Sequence, residues 1–272
     1  MTAPPFGLII VGDEILSGKR QDKHLPRVIE MLSARGLALA WARYVGDDRP
    51  RITAALREAF ASGDIVFSCG GIGATPDDHT RQCAAAALDV PLELHPGAKA
   101  LIQARMQDMA REQGQPYEPE RSDNLHRLQM GVFPRGAALI PNPYNKIPGF
   151  SVGDVHFMPG FPVMAHPMIE GLLDGRYAHL HGSGAQTEMS VLVFGAMEAT
   201  LTPLMERIEA GHPGIKVFSL PSVDHPVHGR HIELGVKGQG DAVAAAYAAL
   251  RDGLVQFGAS LGPETVRQPA IE

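Results

Sequence analysis

The sequence predicts an α/β protein, a mainly parallel sheet covered by helices on both faces, followed by a small α+β domain. Three observations carry this expectation. Continuous apolar runs, the mark of strands buried on both faces, alternate with stretches of helical periodicity through the first part of the chain. The first three runs each end in an acidic or glycine-rich turn: Gly12-Asp13-Glu14, Gly46-Asp47-Asp48 and Gly70 to Asp78. Beyond residue 186 the order becomes strand, helix, strand, strand, helix within about 75 residues, the pattern of a sheet with helices on one face.

Phe6 to Val11 is the first apolar run. Leu25, Val28, Ile29 and Leu32 then fall at i, i+3, i+4 and i+7 of a helix closed by Gly36. Leu37 to Val45 reads as a second strand, and Pro50 opens a helix with Ile52, Ala55, Leu56, Ala59 and Phe60 on one face. Asp64 to Ser68 is a third strand. It enters residues 69–80, CGGIGATPDDHT, and an Ala-rich helix carrying Cys83, Ala84, Ala87 and Leu88 leaves it. A helix near 97–113, a loop over Gly114 to Asp123 and short strands at Gln129 to Phe133, Ala138 to Ile140 and Val155 to Met158 follow. Asn142-Pro143-Tyr144-Asn145 and Pro148-Gly149 mark a loop that either closes over a site or is an ordinary turn. Met158-Pro159-Gly160-Phe161-Pro162 forms a stiff corner before a helix ending near Leu173.

Residues 176–186 have the small, polar composition of a linker, dividing a domain over 1–175 from one over 187–258. In the second, Thr187 to Glu198, Gly214 to Leu220 and the alternating Ile232, Leu234 and Val236 read as strands. Leu201, Leu204, Met205 and Ile208 make one helix face, and Val243 to Phe257 a long amphipathic helix. Residues 259–272 read as a disordered tail.

The chain has 272 residues and 44% hydrophobic content, enough for a sizeable core. With 24 Lys and Arg against 30 Asp and Glu, its net charge of −6 argues against a general nucleic-acid binder. Gly211-His212-Pro213-Gly214 has the form of an RNA-clamping loop but lies between helix and strand. The two cysteines, Cys69 and Cys83, read as core residues of a reduced, cytoplasmic protein, and no membrane span or signal peptide is expected. A nucleophile elbow, a P-loop and a zinc-protease helix motif are missing.

Gly70, Gly71 and Gly73 allow the backbone to approach a ligand closely and to present free amides at a helix start, where an anion is favoured. Thr75, Pro76 and Asp78 fit the N-cap, first and third positions of that helix, so Asp78 reads as the returning acid of a capping box. The adjacent Asp77 adds a second reading: two carboxylates beside a phosphate nest recruit a divalent cation. Lys19, Arg20 and Lys23 stand where they could meet phosphate oxygens. His225, His228 and His231, spaced by three in a turn, read as solvated or domain-contact histidines rather than zinc ligands.

The glycine-aspartate stretch, Gly70 to Thr80, together with Gly12-Asp13-Glu14-Ile15-Leu16-Ser17-Gly18, Gly46-Asp47, Asn142-Pro143 and Met158-Pro159-Gly160-Phe161-Pro162, resembles the competence/damage-inducible protein A family. The resemblance implies a molybdopterin-binding-like three-layer fold over about residues 6–173 and a KH-like domain over 187–258, with the chain stopping before that family's deamidase domain. It implies a divalent-metal-dependent pyrophosphatase (Mg, Mn or Co) acting on ADP-ribose-like or FAD-like dinucleotides. The alternatives are a molybdopterin- or nucleotide-binding module without turnover and an adenylyl-transfer protein of molybdenum cofactor biosynthesis. By the same matching, Asp47 and Asp78 are catalytic, and Asp13, Asp47, Asp77 and Asp78 hold metal. Gly70, Gly71, Gly73, Thr75, Thr80, Lys23 and Asn142 hold the nucleotide or pterin, and a homo-oligomer is expected. Ala74, Lys146-Ile147 and Gln21-Asp22-Lys23 depart from the family's usual Pro, Thr-Ala and Asn-Thr-Asn.

Overall fold

The structure, a computed structural model, describes residues 4–184 and 186–267. It divides into two compact units: residues up to Leu32 with Ala38–His181, and Ser33–Leu37 with the residues from Gly182 onward. Among the described residues no helix is long and apolar enough to cross a membrane.

The first unit runs β1 (Phe6–Val11), α1 (Asp13–Leu16), α2 (His24–Ser33), β2 (Leu39–Val45), α3 (Arg49–Ser62), β3 (Ile65–Cys69) and α4 (Thr80–Leu88). It continues through β4 (Leu92–Leu94), α5 (Pro96–Glu112), α6 (Ser122–Leu128), β5 (Val132–Pro134), β6 (Ala138–Ile140), β7 (Gly149–Val152), β8 (Val155–Met158) and α7 (Pro162–Asp174). Six of these strands form one sheet in the order β2-β1-β3-β8-β7-β6. The first four are mutually parallel, with Val11 beside Val45, Ile10 beside Cys69 and Cys69 beside Met158. Their carboxyl ends therefore share one edge, the edge at which open α/β sheets bind ligands. β7 runs antiparallel to β8, with which it forms a tight hairpin, and β6 in turn pairs antiparallel with β7.

The burial of β1 and β3 along their whole lengths explains their unbroken apolar sequences. Asp48 caps α3 by accepting the Arg51 amide at 2.9 Å, and Gly63 ends that helix in the left-handed conformation. Phe133, Phe150 and Phe157 stack in series in the core, with ring centroids 4.6 and 4.4 Å apart. A polar chain runs from the core to the surface: the Ser151 hydroxyl donates to His156, His156 to the Tyr177 hydroxyl, and Tyr177 to the exposed Asp154. Burial pushes the His156 pKa down to about 3, so its imidazole is neutral there.

Several boundaries differ from expectation. Within the stretch expected as a linker over 176–186, Tyr177 is buried and belongs to the first unit, most of the other described residues are exposed, and the division of the two units falls between His181 and Gly182. The polar stretch before residue 123 gives way to α6, and Gln129–Gly131 is a 3-10 turn rather than strand. Thr75 to Asp78 is not a helix start. It is a β-turn in which the Asp78 amide donates to the Thr75 carbonyl at 3.1 Å, and α4 begins only at Thr80.

The second unit contains β9 (Thr187–Phe194), α8 (Glu198–Gly211), β10 (Lys216–His225), β11 (Gly229–Gly238), α9 (Ala242–Gln256) and β12 (Ser260–Arg267). Its antiparallel sheet is ordered β10-β11-β9-β12, and Val191, Val193, Leu234 and Val236 meet Leu201, Leu204, Leu250 and Leu254 in its core. β12 corrects the expected tail: residues 260–267 pair with β9, with a register shift between Leu261 and Glu264. Gly262 and Pro263 sit in that irregularity, where a missing amide is tolerated on an edge strand. The part of the expected tail over 268–272 lies outside the described residues. His225, His228 and His231 cluster at the β10–β11 hairpin with ring centroids 5.0 to 6.0 Å apart. His225 accepts the Val227 and His228 amides and thereby shapes the turn.

Removing the middle ring of the phenylalanine stack should destabilise the first unit by about 3–5 kcal/mol, whereas Leu125→Ala on the exposed side of α6 should stay within about 0.5 kcal/mol. Urea unfolding of Phe150→Ala, followed through the fluorescence of Trp41, the chain's single tryptophan, checks this.

Candidate functional site

Four turns at the carboxyl edge of the parallel strands, 12–14, 46–47, 70–78 and 159–161, line a cleft of about 610 Å³. Its floor is the first glycine turn. Gly70 has φ +108°, and a Cβ there would collide with the Val11 carbonyl, so only glycine allows the third strand's exit to lie against the end of the first. Gly160 leans on the same point: a Cβ at 160 would sit 3.3 Å from the Gly70 Cα. The Gly70 amide donates to the Met158 carbonyl at 3.0 Å. The amides of Gly71, Ile72, Gly73 and Ala74 have no hydrogen-bond partner among the described residues. A run of unpaired amides in a glycine turn is an anion nest.

The acids gather as the strand order requires. Asp13 and Asp47 exchange bonds across the β1 and β2 exits: the Asp13 amide donates to Asp47 Oδ2 at 2.9 Å, and the Asp47 amide to Asp13 Oδ1 at 3.1 Å. Neither bond uses the second oxygen of either carboxylate. Burial foremost, and then the charges of Asp13, Glu14 and Asp77, raise the Asp47 pKa above its ordinary value, against the opposing bond from the Asp13 amide. Glu14, Asp47, Asp77 and Asp78 all line the cleft, and Arg20 brings a cation to its wall.

Asp78 is partly committed within its own loop. Its Oδ2 accepts the Thr75 amide at 2.9 Å and the Thr75 hydroxyl at 2.5 Å. The returning bond of a capping box is thus made, but it braces a β-turn ahead of the helix. Among the described residues no group of three or more His, Cys, Asp or Glu side chains is arranged to hold a metal ion, so Asp13, Asp47, Asp77 and Asp78 do not form a preformed cage.

Of the residues expected to hold the ligand, Gly70, Gly71, Gly73 and Thr75 line the cleft, Thr80 and Lys23 do not, and Asn142 lines an adjoining recess instead. Thr80 is fully buried, its hydroxyl donating to the Gly70 carbonyl at 3.0 Å and its amide to the Gly71 carbonyl at 2.9 Å, so it holds the turn from behind. Asn142 is buried and spends its polar atoms on Asn145, the Ile147 carbonyl and the Tyr144 amide. Lys23 is exposed and is not among the residues lining the cleft; Arg20 is. Its neighbour Asp22 caps α2, accepting the His24 and Leu25 amides and the Tyr44 hydroxyl.

Two positioning residues carry no sequence signal. His24, buried and with its pKa lowered by desolvation, lies 3.1 Å through Nε2 from the Gly160 carbonyl and so fixes the corner that presses on Gly70. Arg81, also buried, donates to the Gly73 and Gln129 carbonyls and turns the Gly73 carbonyl inward. Both lie in helices whose apolar spacing gives no reason to single them out. Burial drives the Cys69 thiol pKa up, which leaves it a core residue rather than a nucleophile.

A family profile described as probable molybdopterin binding domain matches residues 7–179. A CinA-like protein of Anaeromyxobacter dehalogenans is 36% identical over 160 residues, which are 57% of this chain and 37% of that protein, so the match spans well under half of the relative. A protein of Pyrobaculum calidifontis is 31% identical over 263 residues, 91% of this chain and 94% of its own length. The crystal structure of the protein CinA, of unknown function, from Thermoplasma acidophilum matches with a TM-score of 0.52 at 28% identity, covering 63% of this chain and 97% of that one. The glycine turn against β1, the paired acids beside it and these matches together place the chain in the probable molybdopterin binding domain family, among its CinA-like members.

Proposed function

We propose that the protein binds the diphosphate of a small nucleotide or pterin compound in this cleft as a divalent-metal complex and hydrolyses it. One observation carries the reading: Asp13, Glu14 and Asp77 crowd their charges around Asp47 beside a nest of unpaired amides. A diphosphate entering alone would meet repulsion, and a cation between the two relieves it. The donor set suits such an ion, because magnesium-like cations are usually held by one or two carboxylates together with substrate phosphates rather than by an all-protein cage. Asp13 and Asp47, each with one oxygen outside their mutual bonds, are the residues that would hold it. Bound there, a divalent ion neutralises phosphoryl oxygens and lowers the pKa of an attacking water.

The chain's own residues do the rest. The amides from Gly71 to Ala74 bind phosphate oxygens, and Arg20 adds a positive charge at the wall. Asp47, in the cleft wall, would also accept a hydrogen bond from the water and orient it. The braced Asp78 favours a second reading, a binding module without turnover, since a carboxylate bonded twice to Thr75 has less freedom to act.

Incubating the protein with ADP-ribose, FAD and ATP, each with Mg, Mn or Co ions, separates the two readings. Hydrolysis is expected only with metal, and Asp47→Asn should reduce it by about 10²-fold or more. Binding without any product under every metal would leave the module. The same crowding predicts a stability effect. A carboxyl whose folded pKa is raised favours the folded state while protonated, and that stability is lost as pH rises from the ordinary value of 3.8 through the raised one. Asp47→Asn should therefore melt at a higher temperature than wild type at about pH 7 without metal and match it below about pH 3, as thermal unfolding at the two pH values measures.

A further inference from the structure

The second unit holds a cavity of its own, about 640 Å³, within the range of roughly 300–1,000 Å³ that small-molecule sites occupy. The β9–α8 turn, Gly195 to Glu198, supplies one side of it, and residues of β10 and β11 the other. We propose that it binds a free α-amino acid with an apolar side chain. Arg230 and the first amides of α8 take the carboxylate, Glu198 and His231 the ammonium, and Met197, Val223 and Ile232 the side chain. The proposal is independent of the diphosphate reading, because every residue lining this cavity belongs to the second unit.

Three features of the wall point to a zwitterion. The first is unspent charge. Arg230 and Glu198 both line the cavity, and neither side chain has a hydrogen-bond or ion-pair partner among the described residues. Opposite charges at one cavity that leave each other unpaired suit a ligand carrying both signs, and a guanidinium matches the geometry of a carboxylate. The second is the open start of α8. Its N-cap, Met197, makes no side-chain bond, and the Glu198 and Ala199 amides have no partner among the described residues. The positive end of this 14-residue helix favours a carboxylate. The third is His231, only 7% exposed yet part of the cavity wall. Its Nδ1 lies 2.9 Å from the Gly229 carbonyl, which places the ring proton there and leaves Nε2 an acceptor. That acceptor has no partner among the described residues, and an ammonium supplies the missing donor. Of the three clustered histidines only this one lines the cavity. His225 and His228 pack against its ring at centroid distances of 5.2 and 6.0 Å and, with the Gly229 bond, orient it. The rest of the wall is apolar, and Met197 and Val223 are each 66% exposed, surface that a hydrocarbon side chain covers.

Calorimetric titration of the full chain with L-phenylalanine, L-leucine and L-methionine tests this. Each is compared with its amide, which lacks the carboxylate, and with its deaminated acid, which lacks the ammonium. At least one amino acid should bind saturably at a single site, and its two analogues about tenfold or more weaker. Arg230→Gln should weaken that amino acid by about tenfold and leave its amide within about twofold. Glu198→Gln should weaken it likewise and leave the deaminated acid within about twofold. Both side chains are exposed, so neither change disturbs the core. Binding of none of the three amino acids overturns the proposal. Equal binding of an amino acid and either analogue overturns it too, as does binding that either variant retains at full strength.

Discussion

The approach of three chain segments at Gly70 is the constraint on which the site depends. The residue takes a left-handed conformation with no room for a side chain against the Val11 carbonyl, receives Gly160 on another side and is held through its own carbonyl by Thr80. Each contact joins a different part of the chain: the first strand's end, the corner before α7, and the start of α4. A side chain at this position would open the floor and separate the acids of the first two turns from the amides of the third.

Much of this was legible in the sequence because burial leaves a simple mark. β1 and β3 are buried on both faces, so they read as unbroken apolar runs, and the rule that parallel strands end on one edge was enough to expect Asp47 and Asp78 at one cleft, with Asp13 bonded to Asp47 beside it. What escaped is set by geometry that side-chain type does not encode. Thr-Pro-Asp-Asp satisfies the composition of a helix start and of a β-turn equally, and the chain takes the turn. Thr80 looked like a ligand contact because a small polar residue near a glycine loop serves either the ligand or the loop, and its burial and its bonds to Gly70 and Gly71 commit it to the loop. Residues 260–267 read as part of a disordered tail, where the chain forms the edge strand β12 with a register shift between Leu261 and Glu264. His24 and Arg81 act through a carbonyl on a distant segment, a relation with no local pattern.

Function and stability pull in opposite directions at Asp47. Burial and three neighbouring negative charges oppose its ionisation, while the Asp13 amide favours it, and the reciprocal bonds between the two aspartates keep the pair in register in spite of the repulsion. Such concentrations of like charge are typical of binding sites, where the ligand supplies the missing opposite sign.

The four turns around the cleft lie at residues 12–14, 46–47, 70–78 and 159–161, and the last of their strands, β8, is inserted beside β3 some distance along the chain. No contiguous fragment shorter than nearly the whole first unit contains them all. Pairings between segments so distant close long loops, which slows folding in general. A ligand held in the cleft binds all four turns only where the whole unit is folded, so occupancy favours the folded chain by mass action.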